Sequence, residues 1–267
     1  MQTSMLLLFA MGALSQRFGE RPEDDSKPVL ADSAEFHFIR LEYTDLPQYQ
    51  RRFGFSSRSG RGAGWWMMDW PDAEEHFSLG IQRLTRIHTG RARHLRLTGE
   101  NLFDHPWIYA TQVGWWGLSE AEIARLREYL TRGGFLVVDD FWGPEQWSVF
   151  RETMNRVLPD SLISDIGDAD SAMHVLYDIP EKDRIFIAGT RHLWRGGGGA
   201  LVAEPPYGTV PMWRAIRDER DRMVVAINFN MDVADAWEYA DWPEYPAAMT
   251  TLAYRLGINY IIYAMTH

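Results

Sequence analysis

The stretch Gly133–Gly143, "GGFLVVDDFWG", has the pattern of a turn, a buried strand and a second turn. Two glycines open it, the apolar run Phe135–Val138 follows, and Asp139 and Asp140 stand where the strand ends. A short, continuous apolar run between turn residues is typical of a strand that is buried on both faces of a sheet. Because parallel α/β sheets bind ligands at the carboxyl ends of their strands, the aspartate pair marks a candidate site.

The segments on either side of this stretch alternate between helix and strand patterns. The clearest helix is Leu118–Gly134, where Ser119 and Glu122 predict a capping box and Gly133 predicts the end of the helix. The other predicted strands are Phe36–Tyr43, a strand within His105–Trp115, Arg184–Gly189 and Asp221–Asn230, and the other helices are Trp70–Ile87, Pro144–Leu158 and Tyr245–Ala264. This alternation predicts a three-layer α/β/α sandwich with a mainly parallel sheet.

The composition excludes several classes of function. The net charge of −10 argues against nucleic-acid partners and against docking on anionic lipid, since both select basic surfaces. The chain has no cysteine, which excludes thiol nucleophiles, disulfides and thiolate metal sites. Its twelve tryptophans are expected to fill the core, although those in glycine- and proline-rich loops would also suit sugar or peptide binding.

The amino-terminal residues resemble an export signal. The apolar run Met5–Leu14 has the length of a signal-peptide core and is too short to span a bilayer, but no Lys or Arg precedes it. The alternative is a short buried helix. We therefore expect a signal peptide over residues 1–15, a linker over 16–35 and a single domain over 36–267, in a periplasmic or extracellular protein without a membrane span in its mature chain.

Asp139 and Asp140 are the first candidate site residues. If the strand persists, their side chains point to opposite faces, so at most one of them enters a given cleft. The alternative is that one of them caps the helix that begins near Pro144. We expect Asp139 to tie down neighbouring backbone and Asp140, at the turn, to point toward solvent, which makes Asp140 the more functional of the pair.

A second group of candidates follows the predicted strand Asp221–Asn230. The polar residues of this segment include Asn230, Asp232, Asp235 and Glu238. Oxygen ligands at such spacing can bind a hard cation such as Ca²⁺, but the segment lacks the spacing of an EF-hand loop. The alternative is an acidic, solvated loop. The sequence therefore predicts no metal site and no cofactor.

The segment before the first predicted helix supplies two more candidates. Asp69 precedes Pro71 and either contributes to a site or simply lies near the start of that helix. Before it, a loop contains four arginines interleaved with glycines, Arg51, Arg52, Arg58 and Arg61. Such a loop can bind an anion through its guanidinium groups, or it is a mobile surface loop.

Three long segments carry a family resemblance: Gly64–Glu74, His105–Gly143 and the carboxyl-terminal part from Asp235 to His267. Together they resemble the bacterial domain-of-unknown-function family numbered forty-one fifty-nine. That family is similar in fold to class I glutamine amidotransferases, whose cysteine nucleophile stands on a strand-turn-helix elbow. The resemblance places Trp107–Trp115 at the oxyanion turn and Asp139 or Asp140 at the elbow. A chain without cysteine cannot carry out the glutaminase reaction.

These observations predict a cleft lined by Asp69, Trp115, Asp139, Asp140 and the Asn230–Glu238 loop. The first functional hypothesis is a binding protein for a small molecule or glycan, such as carbohydrate or cell-envelope material. The second is a cysteine-independent hydrolase in which Asp140 or Asp139 acts as acid, base or nucleophile. The resemblance also implies a third, an assembly module that works with MoxR-type ATPases and von Willebrand A proteins; the sequence identifies no protein partner.

Overall fold

The computed structural model describes residues 33–49, 64–196, 201–206 and 209–267. The predicted signal peptide, most of the predicted linker and the arginine-glycine loop (Arg51, Arg52, Arg58 and Arg61) lie outside these ranges.

The described residues form a seven-stranded sheet in the order β2-β1-β3-β4-β9-β8-β5 and a separate hairpin, β6-β7. The strands are β1 Ile39–Glu42, β2 Arg93–Arg96, β3 Trp107–Thr111, β4 Phe135–Phe141, β5 Ile163–Asp165, β6 Leu193–Arg195, β7 Leu201–Ala203, β8 Met212–Arg217 and β9 Met223–Phe229. The five strands from β2 to β9 in this order pair in parallel, whereas β8 and β5 pair antiparallel. The prediction of a mainly parallel sheet is confirmed.

Helices cover both faces of the sheet. They are α1 Asp72–Leu84, α2 Glu120–Thr131, α3 Gly143–Val157, α4 Val233–Glu238 and α5 Ala247–Thr266. Strand β4 shows the layering: Phe135 and Val137 pack into a core with α1, α4 and α5, while Leu136 and Val138 pack into a second core with α2 and α3. The predicted three-layer α/β/α sandwich is confirmed, because each strand residue faces the core opposite to that of its neighbour.

Strong local signals placed α2 correctly. Ser119 accepts a hydrogen bond from the Glu122 backbone, and the Glu122 carboxylate accepts one from the Ser119 backbone, so the predicted capping box is present. Gly133 follows the helix with φ of 108°, a conformation that side chains with a Cβ rarely adopt. The chain can therefore turn directly from α2 into β4.

Two predictions about local structure are wrong. The apolar run Arg184–Gly189 forms no strand, although Ile187 and Ala188 are fully buried. The Ile187 carbonyl accepts a hydrogen bond from the Asp232 backbone N–H at 3.0 Å, outside any ladder. The spacing of Phe77, Ile81, Leu84 and Ile87 predicts one apolar helical face, but Leu84 is 53% exposed because α1 ends there.

No helix within the described ranges combines the length and the apolar character that a bilayer span requires.

Candidate functional site

Four non-glycine residues with left-handed backbone lie near the carboxyl ends of the parallel strands. They are Gln112 after β3 (φ 55°), Asp140 in β4 (φ 49°), Asn230 after β9 (φ 59°) and Asp69 before α1 (φ 62°). Such conformations are uncommon outside glycine and concentrate at functional sites. The register of β4 against β9 also shifts between Val138 and Phe141. The simple alternation of Asp139 and Asp140 between two faces therefore does not hold.

Asp139 is bound to backbone, as predicted. Its Oδ2 accepts hydrogen bonds from the N–H groups of Val233 and Ala234, at 2.8 and 3.0 Å, and from the Tyr109 hydroxyl at 2.8 Å. The side chain is fully buried. Asp139 thus joins β3 and β4 to the first turn of α4, and its role is to hold that short helix in place.

Asp140 is fully buried as well, so the prediction that it points to solvent is wrong. Its left-handed backbone turns the carboxylate inward, where it accepts hydrogen bonds from Gln112 Nε2, from Trp142 Nε1 at 2.6 Å and from Arg191. The alternative that an aspartate of this pair caps α3 is also wrong. Trp142 is the N-cap residue of that helix and its side chain makes no capping hydrogen bond; the first N–H of α3, that of Gly143, donates to Asn230 Oδ1 instead.

The alternative of a solvated acidic loop over residues 228–246 is wrong for its first part, because residues 228–237 are buried, whereas residues such as Asp241 and Glu244 are exposed. Asp232 precedes α4 and accepts a hydrogen bond from the Asp235 N–H at 3.0 Å. Asp235 accepts hydrogen bonds from the N–H and hydroxyl of Thr190, at 2.6 and 3.0 Å. The side chain of Asn230 bonds the Gly143 N–H and the Val210 carbonyl, which makes it a structural link between loops.

Five carboxylates converge next to these strand ends, and we call them the acidic cluster: Asp69, Asp140, Asp232, Asp235 and Glu238. Carboxylate oxygens of Asp69, Asp140 and Asp232 lie within 4.8 Å of one another, as do oxygens of Asp69, Asp235 and Glu238. Asp69 belongs to both groups. It also lies just before α1, where its carbonyl accepts the Ala73 N–H, but its carboxylate turns to the cluster. The fold therefore brings together five of the residues that the sequence predicted.

Two arginines act on the acidic cluster, and sequence reasoning missed both. Arg191 pairs with Asp140, and its guanidinium lies 5.4 Å from the ring centre of Trp142. Arg40, fully buried on β1, pairs with the equally buried Glu74 of α1, and its charge also acts on Asp69. Arg191 follows the apolar run Arg184–Gly189, which was the one available signal that this segment packs near the site.

A family model described as Domain of unknown function (DUF4159) matches residues 52–265. The chain belongs to the DUF4159 family. The match spans every residue of the acidic cluster and confirms the membership that the sequence motifs indicated. A search of curated proteins found no match for the chain.

Burial makes the carboxyl groups of this DUF4159 site weak acids. It raises the pKa of Asp139 to about 7, with a further contribution from the charge of Asp140. Burial raises the pKa of Asp140 to about 6, although Arg191 opposes the increase. It raises the pKa of Glu238 to about 7, and Asp235 adds to that effect. Several carboxyl groups at the strand ends thus hold protons near neutral pH when no cation neutralises them.

These shifts predict that the protein becomes less stable as the pH rises. The folded-state pKa values of Asp139, Asp140 and Glu238 lie above the ordinary values of 3.8, 3.8 and 4.5. At any pH between the ordinary and the raised pKa value of a group, the folded state therefore binds more protons than the unfolded state. The contribution of these three groups to stability is therefore largest at low pH, falls as the pH rises above their ordinary pKa values, and is lost once the pH exceeds the folded-state values of about 6 to about 7. Urea denaturation in EDTA should show a decrease of at least about 2 kcal/mol between pH 5 and pH 8. An increase in the free energy of unfolding between pH 5 and pH 8 would contradict the prediction.

Half-buried aromatic rings adjoin the acidic cluster through Gln112. Its Nε2 donates to Asp140, and its Oε1 accepts from the indole N–H of Trp115 at 3.1 Å. The Trp115 ring lies 4.4 Å from that of Tyr49 and 5.5 Å from that of Trp65, centre to centre. We call Tyr49, Trp65 and Trp115 the aromatic platform. Trp115, a predicted ligand-binding residue, is thus one hydrogen-bonded residue away from Asp140.

Proposed function

We propose that this DUF4159 chain is an exported, non-glutaminase α/β domain that binds a carbohydrate or cell-envelope ligand. The observation that carries the proposal is the convergence of five carboxylates beside the aromatic platform. Carboxylates accept hydrogen bonds from ligand hydroxyl groups, and half-buried aromatic rings offer an apolar face next to a polar handle. This combination suits the alternating polar edges and apolar faces of a sugar.

We propose that the fold is similar to that of class I glutamine amidotransferases, and this similarity supports the placement of the site. The resemblance implies that those enzymes carry their nucleophile on a strand-turn-helix elbow, a strained turn of the kind that α/β-hydrolases also use for a nucleophile. Asp140 has a left-handed backbone near the end of β4, shortly before α3 begins, and Gln112 has one just after the neighbouring strand β3. We propose that the same strand ends serve ligand binding here, with carboxylate and amide groups where an amidotransferase has its thiol chemistry.

A glycan array that includes peptidoglycan fragments tests this function. We expect the full chain to bind at least one glycan, and we expect Trp115→Ala to weaken that binding at least about fivefold, since stacking contacts of this kind contribute on the order of 1 kcal/mol or more. The matched control is Phe103→Ala. Phe103 is also a half-buried aromatic residue, but it precedes β3 and lies at the amino ends of the strands. Equal binding by both variants, or no glycan bound by the parent chain, would contradict the proposal.

A second candidate function is a hydrolase that uses the same carboxylates. The observation in its favour is that Asp140 and Glu238, with pKa values of about 6 and about 7, can exchange protons near neutral pH. Chromogenic glycosides provide the test: turnover should follow a bell-shaped pH profile and should be lost in Asp140→Asn. If the chain binds glycans but does not hydrolyse the glycosides, the hydrolase function is wrong and only the binding function stands.

A further inference from the structure

The acidic cluster contains more negative charge than its cationic contacts neutralise. Among the described residues, Arg191 is the cation that contacts it, through Asp140. Arg40 acts on Asp69 but is itself paired with Glu74. Asp232 and Asp235 accept hydrogen bonds from the Asp235 backbone and from Thr190, which are neutral donors. Five carboxylates therefore share one contacting guanidinium.

Asp69 shows where a further positive charge fits. Its Oδ2 atom is buried and has no hydrogen-bond partner, although buried polar atoms in proteins are almost always paired. The same side chain contributes an oxygen to both close groups of carboxylates in the cluster. An acceptor that is buried, unpaired and surrounded by other acceptors requires a cation or a donor from a ligand.

Gly189 allows the chain to close tightly over these carboxylates. A Cβ atom at this position would lie 2.6 Å from Asp232 Oδ2 and 3.2 Å from Asp235 Oδ2, which is closer than atoms can pack without displacement. Asp232 Oδ1 caps α4, and the other oxygen, Oδ2, packs against Gly189, where a larger residue would not fit. The Asp232 and Asp235 carboxylates that pack against Gly189 are therefore part of the buried interior and not flexible surface side chains.

We propose that Asp69, Asp140 and Asp232 bind one hard divalent cation of the Ca²⁺, Mg²⁺ or Mn²⁺ class. Oxygens bound at about 2.3–2.6 Å on opposite sides of Ca²⁺ are roughly 5 Å apart, and the three carboxylate oxygens lie within 4.8 Å of one another. The three ligands are all carboxylates, which favours these cations over Zn²⁺ or Cu²⁺. The cation site does not depend on the proposed carbohydrate function, although a bound cation can also coordinate sugar hydroxyls.

Calorimetric titration of the EDTA-treated full chain with CaCl₂, MgCl₂ and MnCl₂, without any glycan, tests the site. We expect one ion to bind per chain with a Kd below about 1 mM for at least one of the three metals. Asp69→Asn and Asp232→Asn should each weaken binding at least about tenfold. The matched control is Asp165→Asn on β5, because that carboxylate pairs with Arg214 and its side chain is 79% exposed. The control should bind as the parent chain does.

The variants are designed to fold. Asp232→Asn keeps a carbonyl oxygen for the Asp235 N–H, and circular dichroism of each variant verifies the fold. The proposal is overturned if no saturable binding occurs up to about 10 mM of any of the three ions, well above the weakest known protein sites. It is also overturned if both variants bind as the parent does. If the chain binds no cation but still binds a glycan in EDTA, the cation site is wrong and the proposed function stands.

Discussion

Replacing Glu74 with leucine is expected to lower the free energy of unfolding by about 3–5 kcal/mol, because it leaves a buried charge without its partner. Arg40 Nε donates to Glu74 Oε1 at 2.5 Å, and Arg40 Nη1 donates to the Trp66 carbonyl at 3.2 Å. Both side chains of the ion pair are fully buried. Equilibrium urea denaturation measures the loss.

The double variant Arg40→Met, Glu74→Leu is the matched control for this prediction. Replacement of a buried ion pair by apolar side chains of similar volume is often neutral or stabilising, so the double variant should recover most of the lost stability. A loss below about 1 kcal/mol in Glu74→Leu alone would contradict the prediction, since it would place the pair in the range of a solvent-exposed ion pair.

Asp139→Ala is expected to lower the free energy of unfolding by about 3 kcal/mol, since it leaves buried donors without an acceptor. The donors are the backbone N–H groups of Val233 and Ala234 and the hydroxyl of Tyr109. Asp139→Asn should cost less because its carbonyl oxygen can still accept from the first turn of α4. Chemical denaturation of the two variants provides the comparison, and an equal loss in both would show that the acceptor oxygen is not what matters.

The sequence predicted those parts of the fold whose signals are local. Strand β4 and helix α2 carry a continuous apolar run, a capping box and a terminal glycine, and all of these lie within a few residues of the elements that they define. The edge strands β2 and β5 were missed because they are short and largely exposed, which leaves no apolar pattern to detect. The run Arg184–Gly189 was wrongly predicted as a strand. Its apolar residues indicate burial, and a buried segment is not necessarily hydrogen-bonded to a neighbouring strand.

The candidate site was predictable from one rule, that ligand-binding residues follow the strands of a parallel sheet. This rule found the two aspartates of β4 and the acidic residues after β9. It could not find Arg40 or Arg191, since their roles come from contacts with residues far away along the chain. The orientation of Asp140 was mispredicted because a left-handed backbone and a register shift are not visible in an alternating pattern.

A crystal grown with MnCl₂ shows whether the strand-end carboxylates form one binding centre. We expect an anomalous difference peak within about 2.0–2.6 Å of carboxylate oxygens of Asp69, Asp140 and Asp232, the range expected for hard divalent cations. A map without a peak between these three residues, with the Asp69 carboxylate turned away from Asp140 and Asp232, would contradict it.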